Sequence, residues 1–215
     1  MKALLYKEFR LAMHPTQPFF LLLSAMLLIP SYPFYIIFFY TLLGIFFVCL
    51  SGRENNDIDY TLNLPIRKRS AVTARFCFAC LLEMAQMLLA VLFLLLRQAL
   101  KIGVNQAGMD ANLSFLGLSF ALLGLFNLCF FCRYYAAPEK VGRAFVFTSI
   151  IGFIAMAFLE VGAHIIPFMR DMLDTPDPQF LSAKLLVLLA GIILYAALTF
   201  LAWRRCIRRF EELDL

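Results

Sequence analysis

From Leu11 to Gly52 the chain carries no Asp, Glu, Lys or Arg. A helix that crosses a bilayer needs about 20 mostly apolar residues, so this run is too long for one crossing. Pro30 and Pro33 flank Ser31-Tyr32 and supply a break, because proline cannot continue the helical hydrogen-bond ladder. The pattern predicts two spans, near 16–31 and 33–51. Four more apolar runs follow, near 73–96, 112–132, 144–168 and 184–203, with Glu83 and Glu160 standing inside two of them. The runs are continuous rather than alternating, which in lipid selects helices over barrel strands. The expectation is an all-α membrane protein with six transmembrane helices.

Composition agrees. Hydrophobic residues make up 63% and charged residues 15% of 215 residues, against about 25% charged in an average soluble domain. The excess apolar surface must face lipid or another subunit within lipid. A separate soluble domain of ordinary size has no room. The net charge of +5 reports orientation, not nucleic-acid binding. With six spans, fifteen Lys and Arg fall on the side holding both termini and the 52–75 and 133–143 segments, and four fall on the other. The positive-inside rule places both ends in the cytoplasm. A Lys-bearing start before an apolar stretch has the look of a signal peptide, but the apolar sequence runs on into a second span, and His14, Pro15 and Pro18 stand where a signal core would begin.

Residues 1–14 have the pattern of an amphipathic helix in the headgroup region. Met1, Leu5, Phe9, Ala12 and Met13 share one face, with Lys2, Lys7, Glu8 and Arg10 elsewhere. The segment GRENNDIDYTLNLPIRKRS at 52–70 combines acids, apolar anchors and a basic cluster. Such a compact loop is built to dock, and Pro65 ends any short helix within it. The loop at 168–182, with Asp171, Asp174 and Asp177, reads as an acidic surface loop with turns.

An acid inside a span is costly unless it faces a protein interior or a wet cavity. Glu83 shares a helical face with Cys80, Met87 and Ala90, and Gln86 lies beside it. Glu83 and Gln86 are the candidates for a translocation path or subunit interface, with helix packing the alternative. Glu160 and His164 are spaced to hydrogen-bond along one helix face, and Asn127 to reach across helices. Cys77-x-x-Cys80 and Cys129-x-x-Cys132 have the spacing of two zinc half-sites. They sit in apolar helices without glycine knuckles, so they read as packing residues, and no metal or catalytic residue is expected.

The chain resembles the type-2 ABC transporter permease family. The resemblance rests on the six-span layout with an amphipathic start and on the segment between spans two and three. That segment runs Glu54-Asn55-Asn56-Asp57, then Tyr60, then Leu62-Asn63-Leu64-Pro65-Ile66-Arg67, then Ala71-Val72 and Ala74-Arg75. Asn63 departs mildly from the Ser or Thr more usual there. The resemblance implies that Glu54, Asn55, Asp57, Tyr60, Leu62, Leu64, Pro65 and Arg67 form a coupling segment that docks onto a separate ABC ATPase subunit. The chain lacks a G-x-x-x-x-G-K-[ST] phosphate loop; ATP and magnesium would be held by that partner. It further implies a second permease chain, identical or related, a bacterial inner-membrane location, and export, with antimicrobial or amphipathic peptides as the first expected cargo. The rival readings are an intramembrane protease or redox enzyme, which the two histidines and the absence of H-E-x-x-H leave without a catalytic set, and a non-transporting accessory protein.

Overall fold

The computed structural model describes residues 2–63 and 65–212. Met1 of the amphipathic face and Leu64 of the coupling segment lie outside the described residues, as does the side chain of Leu62. Among the described residues all regular structure is helical. Helix α1 (Lys2–Lys7) continues as a widened turn, Glu8–Ala12, and α2 (Gln17–Leu22) tightens into a 3₁₀ stretch, Leu23–Leu28. Then come α3 (Ile36–Glu54), α4 (Asp57–Leu62), α5 (Lys68–Ala99), α6 (Leu113–Tyr134), α7 (Val141–Ile165) and α8 (Leu181–Glu212). Five of these, α3 and α5 to α8, are long and apolar enough to cross a membrane alone.

The sixth candidate crossing is the α1–α2 pair, bent by 88°. At one end Arg75 of α5 meets Glu8. At the other, Arg97 of α5 donates to the Leu27 carbonyl at 2.9 Å. Arg75 and Arg97 are 22 residues apart on one helix, about 33 Å at 1.5 Å per residue, which matches a hydrocarbon core of about 30 Å. The chain from Glu8 to Leu27 therefore traverses the whole bundle. Six α-helical and six 3₁₀ residues give only about 21 Å of that, and the widened turn and residues 13–16 before α2 supply the rest. The first described helix and the end of α8 lie at the same end, since Phe210 packs on Tyr135 and Tyr135 on Phe76, next to Arg75.

The helix limits depart from the hydrophobic pattern where side chains outside lipid extend them. Helix α5 begins at Lys68, taking the basic cluster into its first turn. Helix α8 runs to Glu212 because Cys206, Ile207 and Phe210 are buried, with Phe210 edge-on to Tyr135 at 5.3 Å. Helix α7 stops at Ile165, two residues before Pro167, where proline sterics disfavour helix. In the widened turn after α1 one residue of the expected polar face turns inward: Glu8 is buried while Phe9 is exposed, and Lys2 and Arg10 stay outside. The widened turn rotates Glu8 toward Arg75, and charge pairing prevails over amphipathic pattern.

Helix α6 is the central element, with 61% of its most apolar stretch buried against 11% for α8. It approaches α8 through glycines: a Cβ built on Gly191 would stand 1.9 Å from the Gly117 carbonyl oxygen, and one on Gly124 2.9 Å from the Tyr195 Cα. Small residues that let backbones touch are the usual means of packing helices in lipid, where no hydrophobic drive separates helix from solvent. Rings fill the other side of the core, with Phe115 of α6 against Phe34, Tyr35 and Phe38 at 4.9–6.1 Å.

Glu83 lies wholly inside the protomer, between α5, α6 and α8. Its Oε2 accepts from the Tyr195 hydroxyl at 2.6 Å and the Asn127 amide at 3.0 Å. The Asn127 amide also donates to Thr199 at 3.1 Å. One turn on, the Gln86 amide donates to Ser24 of the 3₁₀ stretch at 2.8 Å. These bonds cross between helices, as expected for polar groups shielded from lipid.

The end opposite the termini is locked by its loops. Asn105 donates to the Tyr32 and Met109 carbonyls at 3.2 and 3.1 Å, and Asn112 caps α6 by accepting from Phe115 N at 3.0 Å. The 168–182 loop is more than an acidic surface. Asp174 accepts from Asp110 N at 2.6 Å, and Asp177 pairs with buried Lys184 at 2.9 Å. Burial holds the Asp174 carboxyl above the usual carboxylate range, against the pull of the Asp110 N–H. Glu160 accepts from Met109 N at 2.9 Å, tying α7 to the 97–111 loop in place of the expected bond to His164.

Two predictions follow from this packing. Gly191→Ala drives a methyl into the α6 backbone and should lower stability by about 1–3 kcal/mol. Gly152→Ala on α7 meets nothing within 4 Å and should be neutral or stabilising; thermal unfolding in detergent micelles compares them. Glu83→Leu leaves the Tyr195 hydroxyl and Asn127 amide without their shared acceptor and should cost about 1–3 kcal/mol, whereas Glu83→Gln keeps an acceptor and should cost less. Equal melting of the two Glu83 variants contradicts this account of the site.

Candidate functional site

At the end bearing both termini, α3 turns into α4 within two residues. Asn55 N bonds Ser51 O at 2.9 Å to close α3, and Asn56 takes the left-handed conformation at φ 49°, which asparagine tolerates better than most residues. Asp57 and Asp59 then occupy the first turn of α4, where carboxylates favour the positive end of the helix dipole. Beyond Asn63 the chain bends at Pro65 and passes through extended Arg67 into α5.

One face of this short helix is fastened by charge. Asp57 accepts from Arg75 Nη2 and Lys7 Nζ, each at 2.7 Å. Lys7 also donates to the Thr61 hydroxyl at 2.8 Å and lies 3.6 Å from Glu8. Arg75 Nε stands 2.7 Å from Glu8 Oε2, an ion contact without hydrogen-bond alignment, since Glu8 Oε2 has no partner by angle. The side chains of Glu8 and Arg75 are only 3% and 6% exposed. Two cations and two anions thus cancel in a nearly dry site. An isolated charge there would be costly, and removing one partner of a buried pair typically costs about 3–5 kcal/mol. The cluster joins α1, α4 and the root of α5 into one unit.

The other face of α4 is free. Tyr60 is 63% exposed, and Glu54, Asn55, Asp59, Pro65 and Arg67 are exposed around it. Asp57 belongs to the inward face, so the eight residues of the expected coupling segment divide. Asp57 is held by the ion cluster, Glu54, Asn55, Tyr60, Pro65 and Arg67 are presented outward, and Leu62 and Leu64 are the two noted above.

A groove of about 310 Å³ runs beside α4, between Asn56, Ile58 and Asp59 on one side and Ala136, Ala137 and Glu139 on the other. Arg53 bridges it by donating to the Glu139 carbonyl at 3.4 Å. Sequence reasoning used the 133–143 loop for orientation alone. Its only local signal was Pro138 after two alanines, and its nearness to α4 is a product of the fold. Glu83 and Gln86, the expected path residues, lie away from this surface, fully buried in the interior.

No group of three or more His, Cys, Asp or Glu side chains among the described residues is placed to hold a metal ion. The six cysteines are free thiols, with Cys49 and Cys206 buried and Cys77 exposed.

Comparison with protein families matches residues 3–211 to the ABC-2 family transporter protein model. No curated protein and no solved structure matches the chain. A charge-fastened helix at the end of an all-helical bundle is therefore found within a family match covering nearly the whole sequence, and the chain belongs to the ABC-2 transporter family as a membrane-spanning permease.

Proposed function

We propose that this permease is the membrane subunit of an ATP-driven exporter and that α4 is its coupling helix, docking onto a separate ABC ATPase. The observation that carries the reading is Tyr60, a large aromatic exposed on a helix that Lys7 and Arg75 fix through Asp57. An exposed aromatic on a braced element is the usual form of an interface anchor. Glu54, Asn55 and Arg67 surround it with polar contacts, and the groove toward Ala136 and Glu139 widens the docking surface.

In this reading ATP and magnesium are held by the partner, whose closure pushes α4. Asp57 passes the displacement to Arg75 and so to α5, while Glu8 and Lys7 carry α1 with it. The end of the bundle then tilts as one body. A path role for Glu83 and Gln86 requires α5 to part from α6 and α8, because both are covered in this conformation. A second permease chain, identical or related, encloses the path with this one. In this reading the basic residues at the α4 end favour a cytoplasmic side for it and for both termini, and the resemblance favours a bacterial inner membrane. The cargo favoured by the resemblance is an antimicrobial or amphipathic peptide.

The test separates grip from transmission. Tyr60→Ala should leave folding intact and weaken co-purification of the ATPase at least about tenfold, as loss of a central aromatic anchor does. Asp57→Asn should retain the ATPase but lose transport-coupled ATP hydrolysis. Full ATPase retention by Tyr60→Ala would sink the docking assignment, and normal coupling in Asp57→Asn would sink the transmission route.

A further inference from the structure

Helices α6, α7 and α8 each present a stripe to one shared groove on the outside of the bundle. On α6 it runs Leu118, Leu122, Leu125; on α7, Ile151, Ile154, Phe158; on α8, Leu194 and Leu198. These spacings of three and four keep each stripe on one helix face. The groove holds about 510 Å³. Toward the α4 end the same stripes continue through Cys129 and Phe147 into a second cavity of about 560 Å³, lined by Arg133, Lys140, Arg143, Arg205 and Arg209. The lining of this basic cavity includes no acid. Arg209 donates to the Cys132 carbonyl at 2.9 Å, and Arg133 lies over the Phe147 ring at 3.4 Å. The side chains of Lys140, Arg143 and Arg205 make no hydrogen bond or ion pair among the described residues. Helix α7 opens beside them with no side-chain cap, adding the positive end of its dipole.

We propose that this groove is a binding site for one anionic phospholipid, its phosphate among Arg143, Arg205 and Lys140 and an acyl chain along the apolar stripes. Charge complementarity selects the headgroup: unpaired cations at a membrane end attract anionic lipid. Length selects a lipid tail over a transmembrane helix of a partner. Arg205 to Leu194 is eleven residues, and Arg143 to Phe158 and Arg133 to Leu118 are each fifteen, about 16 to 22 Å along a helix. That is one leaflet or a little more of a core about 30 Å thick, and less than a crossing helix would occupy. Placement in the cytoplasmic leaflet rests on the orientation proposed above; binding itself does not, so the two can fail separately.

The test is native mass spectrometry of the full chain from micelles containing equal phosphatidylglycerol and phosphatidylcholine. The wild type should retain one phosphatidylglycerol in preference to phosphatidylcholine. Arg143→Gln with Arg205→Gln should lower that retention about thirtyfold, or about 2 kcal/mol at about 1 kcal/mol per cation. Arg204→Gln with Arg208→Gln removes equal charge from residues outside the groove lining and should change little. Ile154→Trp fills the groove without altering charge and should also reduce retention, which keeps the proposal testable if the first pair fails to fold. Excess glycerol 3-phosphate should not displace the lipid. Equal retention of both lipids, equal loss in both arginine pairs, indifference to Ile154→Trp, or displacement by glycerol 3-phosphate each overturns the proposal. So does disulfide dimerisation of Ile154→Cys across the groove, which would assign it to a second copy of this chain.

Discussion

Arg75 is the fixed point of the end of the bundle that carries α1 and α4. Its guanidinium is held by Glu8 from the first helix and Asp57 from the short helix between spans two and three, each at 2.7 Å. Lys7 balances the second carboxylate. Without that balance a buried cation at the root of a long helix would be expelled toward water. With it, three segments distant in sequence become one mechanical unit. Tyr60 is exposed beside this fixed face of α4, which carries Asp57 and Thr61.

The rest of the bundle is organised so that this unit has something stiff to act on. Glycine contacts press α6 against α8, and the carboxylate of Glu83 joins both to α5 through Tyr195 and Asn127. At the far end, Arg97, Asn105, Asn112 and Lys184 bind the loops to one another and to the irregular end of the first crossing. In the proposed coupling, movement applied at α4 would reach α5 as a tilt, since the far end of α5 is anchored through Arg97.

Much of this fold was legible in the sequence, and the reason is physical. A bilayer imposes one length and one solvent, so charge-free runs between basic clusters mark crossings directly. The bend of the first crossing was legible only as a short span flanked by His14 and Pro15. What stayed hidden was pairing between distant residues. Glu8 follows a polar pattern locally but turns inward for Arg75, 67 positions later. Asp57 looks like its exposed neighbour Asp59 until Lys7 and Arg75 are seen around it. Glu160 has a plausible partner four residues away in His164, yet a backbone N–H from another loop takes its oxygen. The basic end of the α7–α8 groove draws residues from three helices, and in sequence those arginines read only as orientation signals.

The central claim is that α1, α4 and the root of α5 move as one unit through the Arg75 cluster. Hydrogen–deuterium exchange on the permease alone, wild type against Arg75→Gln, tests it most directly. The account predicts that amides in 2–12 and 57–63 lose protection together, while those in α6 and α8 keep theirs. Unchanged protection in α4, or loss in α4 without loss in α1, would contradict it.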